Sequence, residues 1–259
     1  MESMSEVVKA LSSSVSRLHD MVVKMDDAAL VAPSYDTEWT NANVLSHIGS
    51  GAVIMGRRLE DVAAGRDTPE DFNQSVWDEW NAKSPRDQAD TALVTDARFL
   101  DIAERMSEDE RGRVKVSMGP RALDFDSFIG LRLNEHALHT WDIEVMGDAS
   151  MGLTDEVAAQ VIDRLEMIAR FTAKPTGSER VVTVRTSAPE RLFTISLSAD
   201  RVDFAPGAAV GAADGAADLE LSAEAFVRLV YGRLDADHTP AFKGSEDLLA
   251  ELRRVYPGP

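Results

Sequence analysis

The sequence contains no cysteine among its 259 residues. That excludes a disulfide, a cysteine nucleophile and a sulfur-ligated metal site, so any thiol chemistry must use a thiol supplied from outside. No apolar run approaches the length that spans a bilayer. The first residues, Met1-Glu2-Ser3-Met4-Ser5-Glu6, are acidic and lack the apolar core of a secretory signal, which makes the cytoplasm the expected location. Basic residues are scarce: 27 Lys and Arg stand against 45 Asp and Glu, a net charge of -18. A field of that sign repels phosphate backbones and anionic lipid headgroups, so neither nucleic acid nor a membrane is an expected partner. Apolar residues, by contrast, make up 44% of the chain, enough for a sizeable core and against disorder. The length suits one large domain or two modest ones, no internal repeat is visible, and nothing in the composition sets an oligomeric state.

The first two thirds carry helical periodicity. Val7, Leu11, Val15, Leu18, Val22 and Met25 recur at helical spacing, and a loop with Pro33 and Asp36 follows. A second helix is predicted from Trp39-Thr40-Asn41 to a stop at Gly65, with Val44, Leu45, Ile48, Ala52 and Met55 turned inward. A short helical connector is expected from Pro69 to Trp80. Ser84-Pro85 then opens a third long helix that runs to about Met106. Val114 to Met118, followed by Gly119-Pro120, predicts a small hairpin or an extended loop. A fourth helix begins after Asp124 or Asp126 and ends at Gly147; a fifth runs from Thr154 to just before Lys174-Pro175. Beyond Thr176-Gly177-Ser178 the period changes to two. Strands are predicted over 180–186, 191–197 and 201–204, then a Gly/Ala-rich loop over 206–217 and further strands at 218–221 and 241–244. An amphipathic helix is expected from Ser222 to Leu234 and a final one from Glu246 to Val255. The fold class expected is α+β: a helical bundle over 1–175 followed by a small α/β domain over 179–259.

The fourth helix carries the most informative segment, Asn134-Glu135-His136-Ala137-Leu138-His139-Thr140-Trp141-Asp142. Glu135 and His139 are four residues apart, hence on one helix face and one turn apart. His47 lies between Val44 and Ile48 on the second helix and faces inward or nearly so. Bundles build metal sites from inward side chains on facing helices. Two histidines and one carboxylate, with an open position, suit Zn²⁺, and equally Fe²⁺, Mn²⁺, Co²⁺ or Ni²⁺. Asp142, three residues after His139, is placed to orient a ligand, and Arg132, one turn before Glu135, to pair with that carboxylate or with an anionic substrate. A Glu and a His at this spacing also occur together by chance on helix surfaces, and an isolated histidine is commonly a satisfied core group. His136 points off the Glu135/His139 face and reads as surface or packing, while His19 and His238 receive no role. Trp39, Trp77, Trp80 and Trp141 fit a bundle core, with one or two available to line a pocket.

Trp39-Thr40 with Val44-Leu45-Ser46-His47-Ile48, followed far downstream by Arg132-x-x-Glu135-x-x-x-His139-x-x-Asp142, resembles the mycothiol-dependent maleylpyruvate isomerase family. The resemblance implies a DinB-like metal-binding up-and-down four-helix bundle. Leu219-Glu220-Leu221-Ser222 through Tyr231-Gly232-Arg233-Leu234, with Phe242-Lys243-Gly244, is similar to the small sterol-carrier-like α/β domain often fused to that bundle. The resemblance to the isomerase family implies His47, Glu135 and His139 as Zn²⁺ ligands, with water as the fourth; Arg132 and Asp142, placed beside them by helix spacing, are the expected catalytic residues. It also supplies the missing thiol: mycothiol, an actinobacterial small thiol whose thiolate would displace bound water. The expected activity is that of an isomerase or a thiol S-transferase acting on a small-molecule electrophile. In one departure, the connector that carries an arginine in that family reads Glu70-Asp71-Phe72-Asn73-Gln74-Ser75, with Phe72 at that place and Arg66 and Arg86 out of register. The alternative is a non-catalytic metal- or ligand-binding protein on the same bundle.

Overall fold

The computed structural model describes residues 5–36, 38–118, 121–207 and 217–258. The chain divides into two compact units, Met1–Asp148 and Ala149–Pro259. No helix of the described residues is long and apolar enough to cross a membrane.

The first unit is helical. Its long helices are α1 (Glu6–Val22), α3 (Asn41–Ala63), α5 (Pro85–Arg105) and α7 (Phe125–Glu144). Shorter elements join them: α2 (Asp27–Val31), α4 (Phe72–Asn81), α6 (Glu108–Arg113) and a hairpin of β1 (Val116–Met118) with β2 (Arg121–Leu123). Helix α3 packs most extensively on α5, α1 on α7, and the pairs α1–α5 and α3–α7 close a four-helix ring. Local chemistry sets the starts. Thr40 and Asn43 form a reciprocal capping box at α3, Ser84 caps α5 ahead of Pro85, and the Asp124 carboxylate accepts from the Ser127 amide at α7. Gly65, with φ +65, follows the end of α3, a conformation that disfavours side chains. Leu18, Val22, Val44, Leu45, Ile48 and Trp80 meet in the core between these helices.

The second unit begins with α8 (Asp155–Val161), a 3-10 turn (Ile162–Arg164) and α9 (Leu165–Thr172), so the single helix expected from Thr154 is broken in the middle. Five strands follow: β3 (Arg180–Ser187), β4 (Arg191–Leu197), β5 (Val202–Pro206), β6 (Leu219–Ser222) and β7 (Lys243–Gly244), in the order β5-β4-β3-β6-β7. β3–β4, β4–β5 and β6–β7 are antiparallel, whereas β3–β6 is parallel, with Val184 opposite Leu219. Helix α10 (Ala223–Val230) puts Phe226 against the sheet, 5.0 Å from the Phe193 ring, and α11 (Glu246–Val255) completes the unit. Because α8 and α9 pack on α10, residues 149–175 group with the sheet, whereas the sequence pattern assigns 1–175 to the bundle. The expected Gly119-Pro120 turn and most of the Gly/Ala-rich loop lie outside the described residues.

Candidate metal centre

Helix α3 enters the bundle with Val44, Leu45 and Ile48 buried, which fixes its rotation and leaves His47 at the margin between core and solvent. Helix α7 is buried along most of its length, against α1 on one side and α3 on the other. Glu135 and His139 are the positions on α7 that meet His47. The His47 Nε2 is 3.2 Å from Glu135 Oε2, and His139 Nε2 is 3.8 Å from the same oxygen. One ligand atom from each residue lies within 4.8 Å of the others. Tetrahedral ligands at Zn–N and Zn–O lengths near 2.1 Å sit about 3.4 Å apart, so the donor set fits a divalent cation with small side-chain rotations. The side chains of His47 and Glu135 are each 42% exposed and that of His139 is 14% exposed, so the site opens to solvent on one side.

The surroundings prepare each donor. The Asp142 carboxylate, fully buried, accepts a 2.9 Å hydrogen bond from His139 Nδ1. That bond assigns the proton to Nδ1 and leaves the Nε2 lone pair for a cation. The Asp142 backbone carbonyl in turn accepts from the Tyr35 amide at 2.8 Å. The Trp39 ring covers both imidazoles, stacked at 6.0 Å on His139 and tilted at 5.3 Å from His47. Burial pushes the Glu135 carboxyl up, but the His47 hydrogen bond and the positive fields of His139, His47 and Arg132 outweigh it and hold the group below the usual carboxylate range. Glu135 is therefore an anionic acceptor at neutral pH, and His47 donates its Nε2–H to it; a bound cation would replace that proton on Nε2.

Arg132 is placed differently from the expectation. Its side chain is 2% exposed and pairs with Asp96 of α5 instead of binding Glu135 or facing a substrate. The reason is position: Asp96 stands on the buried stripe Ala89, Ala92, Phe99 and Ala103 of α5, directly opposite α7. His136, expected as surface or packing, is fully buried and joins the same network, 3.0 Å from the second Asp96 oxygen and 2.8 Å from the Ser14 hydroxyl of α1. Asp96 thus ties α5, α7 and α1 together immediately behind Glu135. The sequence did carry its signal, a lone carboxylate at helical spacing within an apolar stripe.

A cleft of about 430 Å³ adjoins His47. Trp39, Trp77 and Trp80 wall it; Asn43, Ser46, Ser50 and Asn81 supply uncharged polar groups, and Glu38 adds a carboxylate. Phe72, at the place of the family's connector arginine, does not line this cleft; its ring lies under the Arg57 guanidinium at 5.1 Å.

Residues 11–144 match the family described as "Mycothiol maleylpyruvate isomerase N-terminal domain". Two solved structures, the mycothiol-dependent maleylpyruvate isomerase and a histidine-to-alanine mutant of it, align with a TM-score of 0.62 at 14% identity, covering 92% of this chain and 92% of theirs. At that identity the likeness concerns the fold. No curated protein sequence matches the chain.

Proposed function

Because the chain belongs to the mycothiol maleylpyruvate isomerase N-terminal domain family, we propose that it is a metal- and thiol-dependent enzyme, using Zn²⁺ and mycothiol to transform a small electrophile by cis–trans isomerisation or S-transfer. The observation that carries this reading is the convergence of His47, Glu135 and His139, with Asp142 fixing the His139 tautomer. A divalent cation, when bound, supplies the charge that favours a thiolate over a thiol at neutral pH. His47 Nε2, His139 Nε2 and one Glu135 oxygen are the groups that would hold it. The chain's own residues do the rest. Asp142 keeps the His139 proton on Nδ1, the Trp39 ring shields the imidazoles from water on one side, and the adjoining cleft receives the organic part of the reactants. With no cysteine of its own, the protein takes its nucleophile from a low-molecular-weight thiol.

The test is zinc content together with thiol-dependent turnover. The protein is expected to hold close to one equivalent of zinc and to consume an electrophile such as dimethyl maleate only with thiol present. His139→Ala is expected to lose both zinc and turnover. Zinc without turnover across an electrophile panel would instead identify a non-catalytic metal- or ligand-binding protein on the same bundle.

A further inference from the structure

We propose that the cleft beside His47 selects an uncharged electrophile, one that presents ester, amide or hydroxyl groups on a flat unsaturated frame, and discriminates against a dicarboxylate. This rests on the metal- and thiol-dependent reading above and specifies its substrate class.

The lining carries the inference. Indole faces bind planar conjugated groups through stacking. Asn43, Ser46 and Asn81 offer uncharged hydrogen-bonding groups, and Ser50, whose hydroxyl donates to the His47 carbonyl, offers its oxygen as an acceptor. Ser46 and Ser50 are 7% and 4% exposed, so their polar groups belong to the wall of the cleft and not to the outer surface. The Asn43 carbonyl oxygen is engaged by Thr40, which leaves its amide N–H for a ligand. Glu38 is the charged lining residue apart from His47, and its sign is wrong for a carboxylate.

The cations nearby are already committed. Arg132 is buried against Asp96, Arg57 holds Asp61 at 2.6 Å, and Lys83 holds Glu79 at 2.7 Å above the Trp80 ring. The charge of a divalent cation is balanced by Glu135 and one incoming thiolate, so none remains to offset a further anion. A carboxylate in the cleft would meet the Glu38 charge within a protein whose net charge is -18.

The zinc-loaded protein, saturated with the thiol so that the open metal position is filled, can be titrated with an unreactive matched pair, dimethyl phthalate and phthalate, by ligand-detected NMR. The diester is expected to bind with a Kd at least about tenfold below that of the dianion. Glu38→Lys is expected to narrow that ratio by improving phthalate while zinc content stays unchanged. Phthalate binding as tightly as the diester, or no saturable binding of either, overturns the proposal. Failure of the underlying catalytic reading looks different: the diester binds, yet dimethyl maleate is not consumed with thiol and zinc present.

Discussion

Asp142 has no contact with solvent, yet it determines which nitrogen His139 can offer. Asp142→Ala is expected to weaken zinc binding about 10- to 100-fold while the three ligands remain, which a competition titration against a chromophoric chelator measures. Asp96 acts one layer further back. Burial opposes its charge, but the Arg132 and His136 fields outweigh burial and hold the carboxyl below its ordinary value. Asp96→Asn leaves the Arg132 guanidinium buried without its counter-ion and is expected to cost about 3–5 kcal/mol in urea unfolding. The stabilisation from this carboxylate is present above its unfolded value, about 3.9, and is lost as pH falls through the lower folded value. The stability gap between wild type and Asp96→Asn is therefore expected to shrink in the acid range below about pH 4. That Glu135, His139 and Asp142 share one face is legible from helix spacing alone, whereas His47 joins them through its inward place on another helix. The Arg132 partner was not legible, since the residue that claims it lies on another helix and only the bundle brings Asp96 across.

Among the elements, the α3–α5 contact depends on Gly49. A Cβ at that position would overlap the Trp80 ring and come within 2.9 Å of the Ala92 backbone. Gly49→Ala is expected to destabilise the protein by about 1–3 kcal/mol, read as a lowered urea midpoint, because the backbone of α5 has to move away. As that motion would also shift α3 under His47, weaker zinc binding is expected to accompany it. The starts of α3, α5, α7, α8 and α10 were readable because each is signalled by a residue whose side chain caps the adjacent amides. Helices α2 and α6 went unread, being only 5 and 6 residues long and too short to show a period. The interruption at Ile162–Arg164 was equally silent, since its residues are as compatible with an α-helix as with the tighter turn.

For the whole molecule, 45 acidic residues against 27 basic ones mean that the folded chain repels itself. Raising sodium chloride from about 0.01 M to about 0.15 M shortens the screening length from about 30 Å to about 8 Å. The thermal midpoint is expected to rise over that interval and to rise equally with choline chloride, which separates screening from specific ion binding. The two-unit organisation was legible from the change of period near residue 176, but contacts place the division nearer 148. A helix that packs on a sheet has the same periodicity as one that packs in a bundle, so pattern alone does not assign α8 and α9.

The parallel pairing of β3 with β6 has a consequence for biosynthesis. As the chain leaves the ribosome, β3, β4 and β5 can zip into a meander as soon as they emerge, because each turns directly back on its neighbour. The other flank of β3, from Val184 to Ser187, stays open until Leu219–Ser222 has been translated. During that delay a bare strand edge is exposed to every nascent neighbour, which makes this interval the one in which a trigger factor or holdase has most to protect.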